Sequence, residues 1–218
     1  MKAFWLAAGL LLSVPAFAED EDVDKVNGSI RIDDGQSAGD LSTVNGSIRI
    51  GDKAKARELE TVNGSIAMGS DATAKEIENV NGSVTMGARS RLEGRIESVN
   101  GSITLDDGVE VAGSVENVNG KIRLEAARVG GGIVTTNGGI DILGNSRVEG
   151  GIHVEKPSGS WFSFGKDDPP RIVIGPGAVV NGTLRFDREV ELYVSDKATV
   201  GTIVGATPVK FSGDRPPN

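Results

Sequence analysis

The 218-residue chain contains no cysteine, one histidine and few aromatic residues, which make up 4% of the sequence. The absence of cysteine excludes disulfides and thiolate metal sites, so stability must come from packing and backbone pairing. Basic residues are fewer than acidic ones, 23 against 31, and the formal net charge is −8. This balance argues against nucleic-acid binding, which depends on clustered Lys and Arg.

Long hydrophobic runs are also missing, except near the N-terminus. Lys2 precedes an apolar run over residues 4–14, and Ala16-Phe17-Ala18 has the small-x-small form of a cleavage site. This pattern predicts a secretory signal peptide over residues 1–18, with a buried N-terminal helix as the alternative. No other run approaches ~18 apolar residues, so we expect no membrane span. Cleavage after Ala18 would remove Lys2 and predicts a periplasmic or extracellular protein with net charge −9.

The chain does have a regular repeat, in which Asn-Gly recurs at a nearly constant spacing. Between residues 26 and 138 there are seven such pairs, six of them after Val, and the Asn positions are Asn27, Asn45, Asn63, Asn81, Asn100, Asn119 and Asn137. Such a period means that each unit repeats one local shape and stacks on its copies. The repeat therefore predicts one elongated body whose stability is a sum over neighbouring units.

Each unit carries a short alternating segment, which predicts a β-strand. In Ser29-Ile30-Arg31-Ile32 the two Ile face one side and the polar residues face the other. A second apolar position lies four residues before each Asn from Asn45 onward, at Leu41, Leu59, Ile77, Ile96, Val115 and Ile133. Asn-Gly is also a hairpin signal, so an array of antiparallel hairpins is the alternative fold.

The short arms and the lack of a second recurring turn favour coils over hairpins. We predict an all-β, single-domain parallel β-solenoid with 18–20-residue coils, about nine coils and one inserted loop. Ile30 then stacks on Ile48, Ile66, Val84, Ile103, Ile122 and Ile140. The two longer steps, from Asn81 to Asn100 and from Asn100 to Asn119, predict one-residue insertions in turns near positions 89–91 and 106–109.

The Asn residues are predicted to form an inward-facing ladder of amide-to-carbonyl hydrogen bonds at one corner. The following Gly would supply the positive φ of a sharp turn. Five of the seven also match the N-x-Ser/Thr acceptor pattern, which we interpret as a coincidence of the corner chemistry.

A second signature, V-x-G-x-I, begins near Leu92 and recurs to Leu184. Residues 175–184, GPGAVVNGTL, resemble rungs of the bactofilins, the polymer-forming bacterial cytoskeletal β-helices. The VNGSI array resembles adhesin-like β-strand-repeat domains of unknown function in bacterial exported proteins. The two resemblances together cover most of residues 26–204. They imply a right-handed, apolar-cored β-helix more strongly than a filament.

The repeat is interrupted once, by residues 155–170, which contain three Pro and the aromatic residues Trp161, Phe162 and Phe164. This composition predicts an inserted loop between the solenoid segments 26–154 and 171–205. Its rings either cover an apolar face of the coil or form an exposed contact for a partner. The acidic segment 19–25 and the Pro-rich tail 206–218 are predicted to blunt the two ends, which disfavours self-association through them.

Residues typical of catalysis are sparse. His153 lies in an alternating strand without a nucleophile motif nearby, and the acidic pairs at residues 33–34, 106–107 and 167–168 lie in turns or in the loop. We therefore predict no enzyme, cofactor or metal site. The preferred function is a noncatalytic structural or adhesin-like protein of the bacterial cell envelope, in contact with an envelope protein or polysaccharide. The alternative is a β-helix that binds or cleaves carbohydrate, to which the outward Ser and Thr columns could contribute hydrogen bonds.

Overall fold

The computed structural model describes residues 20–157 and 168–217, and these residues form short strands joined by turns. In chain order the strands are β1 (Val23–Asn27), β2 (Ile30–Ile32), β3 (Leu41–Asn45), β4 (Ile48–Ile50), β5 (Glu58–Asn63), β6 (Ile66–Met68), β7 (Thr73–Ala74), β8 (Glu76–Asn81), β9 (Val84–Met86), β10 (Arg91–Leu92), β11 (Ile96–Asn100), β12 (Ile103–Leu105), β13 (Glu110–Val111) and β14 (Val115–Asn119). They continue as β15 (Ile122–Glu125), β16 (Arg128–Val129), β17 (Ile133–Thr135), β18 (Ile140–Leu143), β19 (Arg147–Val148), β20 (Ile152–Val154), β21 (Arg171–Ile174), β22 (Val179–Val180), β23 (Leu184–Phe186), β24 (Glu191–Ser195), β25 (Thr199–Val200), β26 (Ile203–Val204) and β27 (Val209–Phe211).

The strands form three parallel sheets that wind into a β-solenoid of about nine turns. Sheet A has ten strands in the order β1-β3-β5-β8-β11-β14-β17-β20-β23-β26. Sheet B has ten, in the order β2-β4-β6-β9-β12-β15-β18-β21-β24-β27, and sheet C has seven, in the order β25-β22-β19-β16-β13-β10-β7. Each coil therefore runs from sheet A through the Asn-Gly corner to sheet B, and then to sheet C. The predicted parallel solenoid is confirmed.

The core consists of columns of like apolar residues, one from each coil. Ile30 pairs with Ile48, Ile48 with Ile66, and the column continues through the residues predicted for it. These side chains are buried, as are those of the column that begins at Leu41 on sheet A. Because successive coils are ~4.8 Å apart, each buried side chain packs on its copies above and below.

The coil widens by one residue at the corner between sheets C and A. Arg91 pairs with Thr73, and Ile96 pairs with Ile77, so the sequence separation of the second pair is greater by one. The added residue therefore lies between Leu92 and Ile96, and the predicted insertions near positions 89–91 and 106–109 are wrong. The wider coils also hold larger side chains inside sheet C. The inward residue of the narrower coil is Ala74, and the residue paired with it in the next, wider coil is the buried Leu92.

Both ends of the solenoid reach further than the sequence predicts. At the N-terminus, the Gly39 amide donates to the Glu21 carbonyl, and β1 begins at Val23 rather than at residue 26. At the other end, β27 pairs with β24 and buries Phe211, so the coil extends past residue 205 despite the prolines around it. Within residues 20–157 and 168–217, no helix has both the length and the hydropathy of a membrane span.

Candidate functional site

The corner asparagines form a continuous hydrogen-bonded column along the A–B edge. In each step the side-chain amide donates to the side-chain carbonyl of the Asn one coil earlier, over 2.9–3.1 Å. The column runs through Asn27, Asn45, Asn63, Asn81, Asn100, Asn119 and Asn137. Its bonds all point the same way, so Asn27 acts within the column as an acceptor and Asn137 as a donor.

This column lies on the surface, not inside the coil as expected from the sequence. In β5, for example, Leu59 and Thr61 alternate with outward residues and are buried, whereas Asn63 is exposed because the alternation ends at the corner. The last carbonyl is capped by a cation: the Arg188 guanidinium donates to Asn137 Oδ1 over 2.6 Å and to the Thr136 carbonyl over 3.1 Å.

The corner glycines are required by close approach of neighbouring coils. A Cβ on Gly64 would lie 1.9 Å from the carbonyl oxygen of Gly46, and one on Gly101 would lie 1.9 Å from that of Gly82. Gly101 has a φ of +150°, whereas Gly64 is not among the positive-φ residues. Positive φ, the reason expected from the sequence, therefore does not account for every corner glycine.

The outward serines that precede the strands of sheet B use their hydroxyl oxygens in hydrogen bonds between neighbouring coils. The amides of Ser47, Ser65 and Ser83 donate to the Oγ of the serine one coil earlier, over 3.2 Å. These oxygens are already engaged as acceptors, which weakens the case for a hydroxyl ribbon that binds a polymer.

A buried polar column lies directly inside the same corner, and the sequence analysis missed it. It contains Thr43, Thr61, Asn79, Ser98, Asn117 and Thr135. Thr61 Oγ1 and Asn79 Nδ2 donate to the corner carbonyls of Gly46 and Gly64, over 2.9 and 2.8 Å. The periodic Thr, Asn or Ser two residues before each corner Asn from Asn45 onward was the available signal.

The outer face of sheet A carries two further columns that were not predicted. One contains Glu60, Glu78, Glu97 and Glu116, three residues before successive corner asparagines. The other consists of valines that directly precede corner asparagines: Val62 is half-buried, and Val44, Val80, Val99 and Val118 are 38–40% exposed. The glutamates, with Val80, Val99 and Val118, line a shallow groove of about 330 Å³. The signal was the repeated Val in VNGS, which the alternation of the strand turns outward.

Negative charge on this face is only partly compensated. Arg95 lies 2.9 Å from Glu76, 2.7 Å from Glu97 and 3.9 Å from Glu78. Partial burial, together with repulsion from Glu97, Glu76 and Glu60, raises the pKa of Glu78 above its ordinary value, against the opposing effect of Arg95. A cationic partner would relieve this repulsion.

His153 lies on the outer face of sheet A beside the inserted loop. Its Nε2 lies 2.8 Å from Asp187 and its Nδ1 lies 3.8 Å from Glu155, while Arg185 also contacts Asp187 over 2.8 Å. Hydrogen bonds from His153 and then Arg185 hold the pKa of Asp187 below its ordinary value. Among residues 20–157 and 168–217, His153 is thus part of a polar cluster with Glu155, Asp187 and Arg185.

The aromatic residues Trp161, Phe162 and Phe164, predicted as a partner contact, lie outside the described residues. Across residues 20–157 and 168–217, no three His, Asp or Glu side chains are grouped so that they could hold a metal ion. Comparisons of the chain with protein families, curated proteins and solved structures find no match.

Proposed function

We propose that this chain is a noncatalytic, exported scaffold of the bacterial cell envelope that acts by holding a partner along sheet A. The observation that supports this proposal is the run of exposed valines on three successive coils, Val80, Val99 and Val118, beside the glutamates. Exposed apolar surface that is contiguous and rimmed by polar groups is typical of interaction sites. The stacked, internally hydrogen-bonded coils supply a rigid support for it.

Site-directed photo-crosslinking in the native envelope tests this proposal. A photo-crosslinking residue at Val99 on sheet A is compared with one at Ala112, which is exposed beside sheet C. We expect a discrete cross-linked adduct from position 99 and none from position 112, and fractionation should find the protein outside the cytoplasm. Adducts of equal yield at both positions, or a cytoplasmic protein, would contradict the proposal.

The inserted loop is a second contact for the same scaffold, as its aromatic composition predicts. The double change Trp161→Ala and Phe162→Ala should then reduce capture of the cross-linked partner without changing the unfolding temperature. Unchanged capture would show that the loop does not contribute to the contact.

The alternative function, binding or cleavage of a polysaccharide, is favoured by one observation. Carboxylates stand in a row on sheet A, and paired carboxylates, one with a raised pKa, are used in glycoside hydrolysis. The groove between them is lined by valines rather than by aromatic rings. Release of reducing ends from a panel of neutral and acidic polysaccharides, lost on Glu78→Gln, would support this alternative over the scaffold.

A further inference from the structure

The glutamate and valine columns of sheet A are parallel rows with a fixed spacing. Within one strand, Glu78 and Val80 both face outward and are two residues apart, so the rows lie ~6.6–6.8 Å from each other. Successive members of each row are one coil apart, or ~4.8 Å. The face is thus a narrow band that is apolar along one side and acidic along the other.

Backbone groups of the inner strands of sheet A are not open to a partner. Every strand of sheet A between the two edge strands, β1 and β26, is hydrogen-bonded to a neighbouring strand on both sides. A partner on the outer face must therefore be recognised through side chains, and strand addition is restricted to the edges at β1 and β26.

The charge of the face selects a cationic partner. Strands β5, β8, β11 and β14 present six outward glutamates, Glu58, Glu60, Glu76, Glu78, Glu97 and Glu116, and Arg95 lies among them. Among the described residues, Glu60 has no ion-pair partner within 4.0 Å. A second copy packed face to face would set carboxylates against carboxylates, which is unfavourable.

The spacing of the rows distinguishes a helix from an extended segment. From Glu60 to Glu116 there are three coil steps, a distance of ~14 Å. Three turns of an α-helix rise ~16 Å, a mismatch that long Lys and Arg side chains absorb. Residues on one side of an extended chain recur every ~6.6–6.8 Å, so three such steps span ~20 Å and lose register with the glutamates.

We infer that the outer face of sheet A between β5 and β14 docks an amphipathic, basic α-helix that lies along the solenoid axis. The helix carries one Lys or Arg per turn toward the glutamate row and small apolar residues toward the valine row. This inference rests on the proposed function, because it names the chemistry of the partner that the scaffold holds.

Titration of the full chain with two synthetic peptides of identical composition tests this inference. In the first, Lys recurs every three or four residues beside a Leu and Ala stripe; in the second, the same residues are permuted so that Lys surrounds the helix. We expect the first peptide to bind at least roughly tenfold more tightly, to gain helix on binding and to weaken as salt is added. Equal affinities for the two peptides would overturn the inference.

Matched variants locate the bound peptide. The double change Glu60→Gln and Glu78→Gln, and separately the triple change Val80→Thr, Val99→Thr and Val118→Thr, should each weaken binding roughly fivefold to tenfold. The control, Glu93→Gln with Glu110→Gln, removes the same charge on the sheet C side and should change affinity less than twofold. Thermal unfolding of each variant checks that the coil is intact.

The outcomes separate this inference from the proposed function. If the position-99 adduct forms in the envelope but the designed peptide binds no better than its permuted form, the helical partner is wrong and the scaffold stands. If the adduct also fails to form, both proposals are contradicted. If the control pair weakens the peptide as much as the sheet A pair, binding is nonspecific attraction to an acidic protein, and the inference is again overturned.

Discussion

At the residue scale, the corner joins an exposed amide column to a buried polar column two residues earlier. The exposed asparagines bond to one another, whereas the buried threonines and asparagines bond to corner carbonyls. The buried column provides donors to carbonyls of the sharp A–B turn, and the exposed column links each coil to the next. The corner is consequently stabilised by hydrogen bonds on both of its sides.

The direction of the asparagine column predicts unequal effects of the same substitution. Asn100→Asp removes the donor to Asn81 and sets a carboxylate against a carbonyl oxygen, so it should lower the free energy of unfolding by about 1–2 kcal/mol. Asn27→Asp keeps the acceptor that Asn45 uses and should be nearly neutral. Urea unfolding of the two variants measures the difference in the free energy of unfolding. Equal losses of stability would contradict the one-way arrangement of donors and acceptors along the column.

The buried column contains hydroxyl groups with and without a hydrogen-bond partner. Removing a hydroxyl should therefore lower the stability in the first case and raise it in the second. Ser98 Oγ is buried and has no hydrogen-bond partner among the described residues, so Ser98→Ala should raise the free energy of unfolding by about 1 kcal/mol. Thr61 Oγ1 donates to the Gly46 carbonyl over 2.9 Å, so Thr61→Val should lower it by a similar amount. A loss of stability in both variants would indicate that Ser98 Oγ is hydrogen-bonded to an internal water.

At the element scale, the glutamate side chains on neighbouring strands of sheet A repel one another, whereas charged side chains of neighbouring turns form an ion pair. Glu78 meets glutamates from the strands on both sides, and its pKa is raised. Asp71, in the turn before β7, accepts hydrogen bonds from Arg89 of the next coil over 2.8 Å, and its pKa is lowered. The two carboxylates therefore contribute to stability with opposite dependence on pH.

Two neutral substitutions test this opposition. Because the folded state raises the pKa of Glu78, its stabilising contribution is present below the ordinary pKa and is lost as pH rises through the folded one. Glu78→Gln should thus increase stability near neutral pH, with a gain that disappears in acid. Asp71→Asn should decrease stability near neutral pH, with a loss that disappears as pH falls through the lowered pKa.

Urea unfolding at a series of pH values follows both variants against the unchanged chain. If both substitutions changed the stability near neutral pH in the same direction, the electrostatic environments assigned to Glu78 and Asp71 would be contradicted.

At the scale of the whole molecule, the solenoid is a one-dimensional stack about 40–45 Å long at the coil spacing. Each coil contacts the coils next to it, so stability is approximately a sum of coil and interface contributions. A defect that separates two coils should therefore open the stack locally without first unfolding distant coils.

A single methyl group at a corner tests this local behaviour. Gly64→Ala places a Cβ 1.9 Å from the Gly46 carbonyl oxygen, so the interface between these coils should open and amide exchange should accelerate around residues 46–66. Gly132→Ala is the control, because its nearest neighbouring atom would be at 3.4 Å, an ordinary contact. Hydrogen exchange that accelerates evenly along the whole chain in Gly64→Ala would argue for all-or-none unfolding instead.

The sequence predicted the fold well, because a strict period leaves few alternatives once alternating Ile residues mark the inside of the coil. The sequence placed the added residue wrongly, because the turn near Arg89 and the C–A corner at Gly94 both contain glycine and polar residues typical of turns. It also missed the sheet A face, because a repeated Val is expected in a core and its outward direction follows only from strand register. The inward expectation for the asparagines failed for a different reason: the alternation of the strand ends at the corner, so Asn63 is exposed although Thr61 is buried.

The corner hydrogen bonds also have a consequence for chemical ageing. Asn-Gly is prone to deamidation, because the glycine nitrogen can attack the asparagine side-chain carbonyl and close a succinimide ring. In the folded coil these glycine amides instead donate to the main-chain carbonyl of the next corner Asn, over 2.8–3.0 Å, at Gly28, Gly46, Gly64, Gly82 and Gly101. The attacking nitrogen and its target are both held in place, so the intact stack should deamidate slowly. The amount of isoaspartate at these corners should then increase with the time that a molecule has spent unfolded.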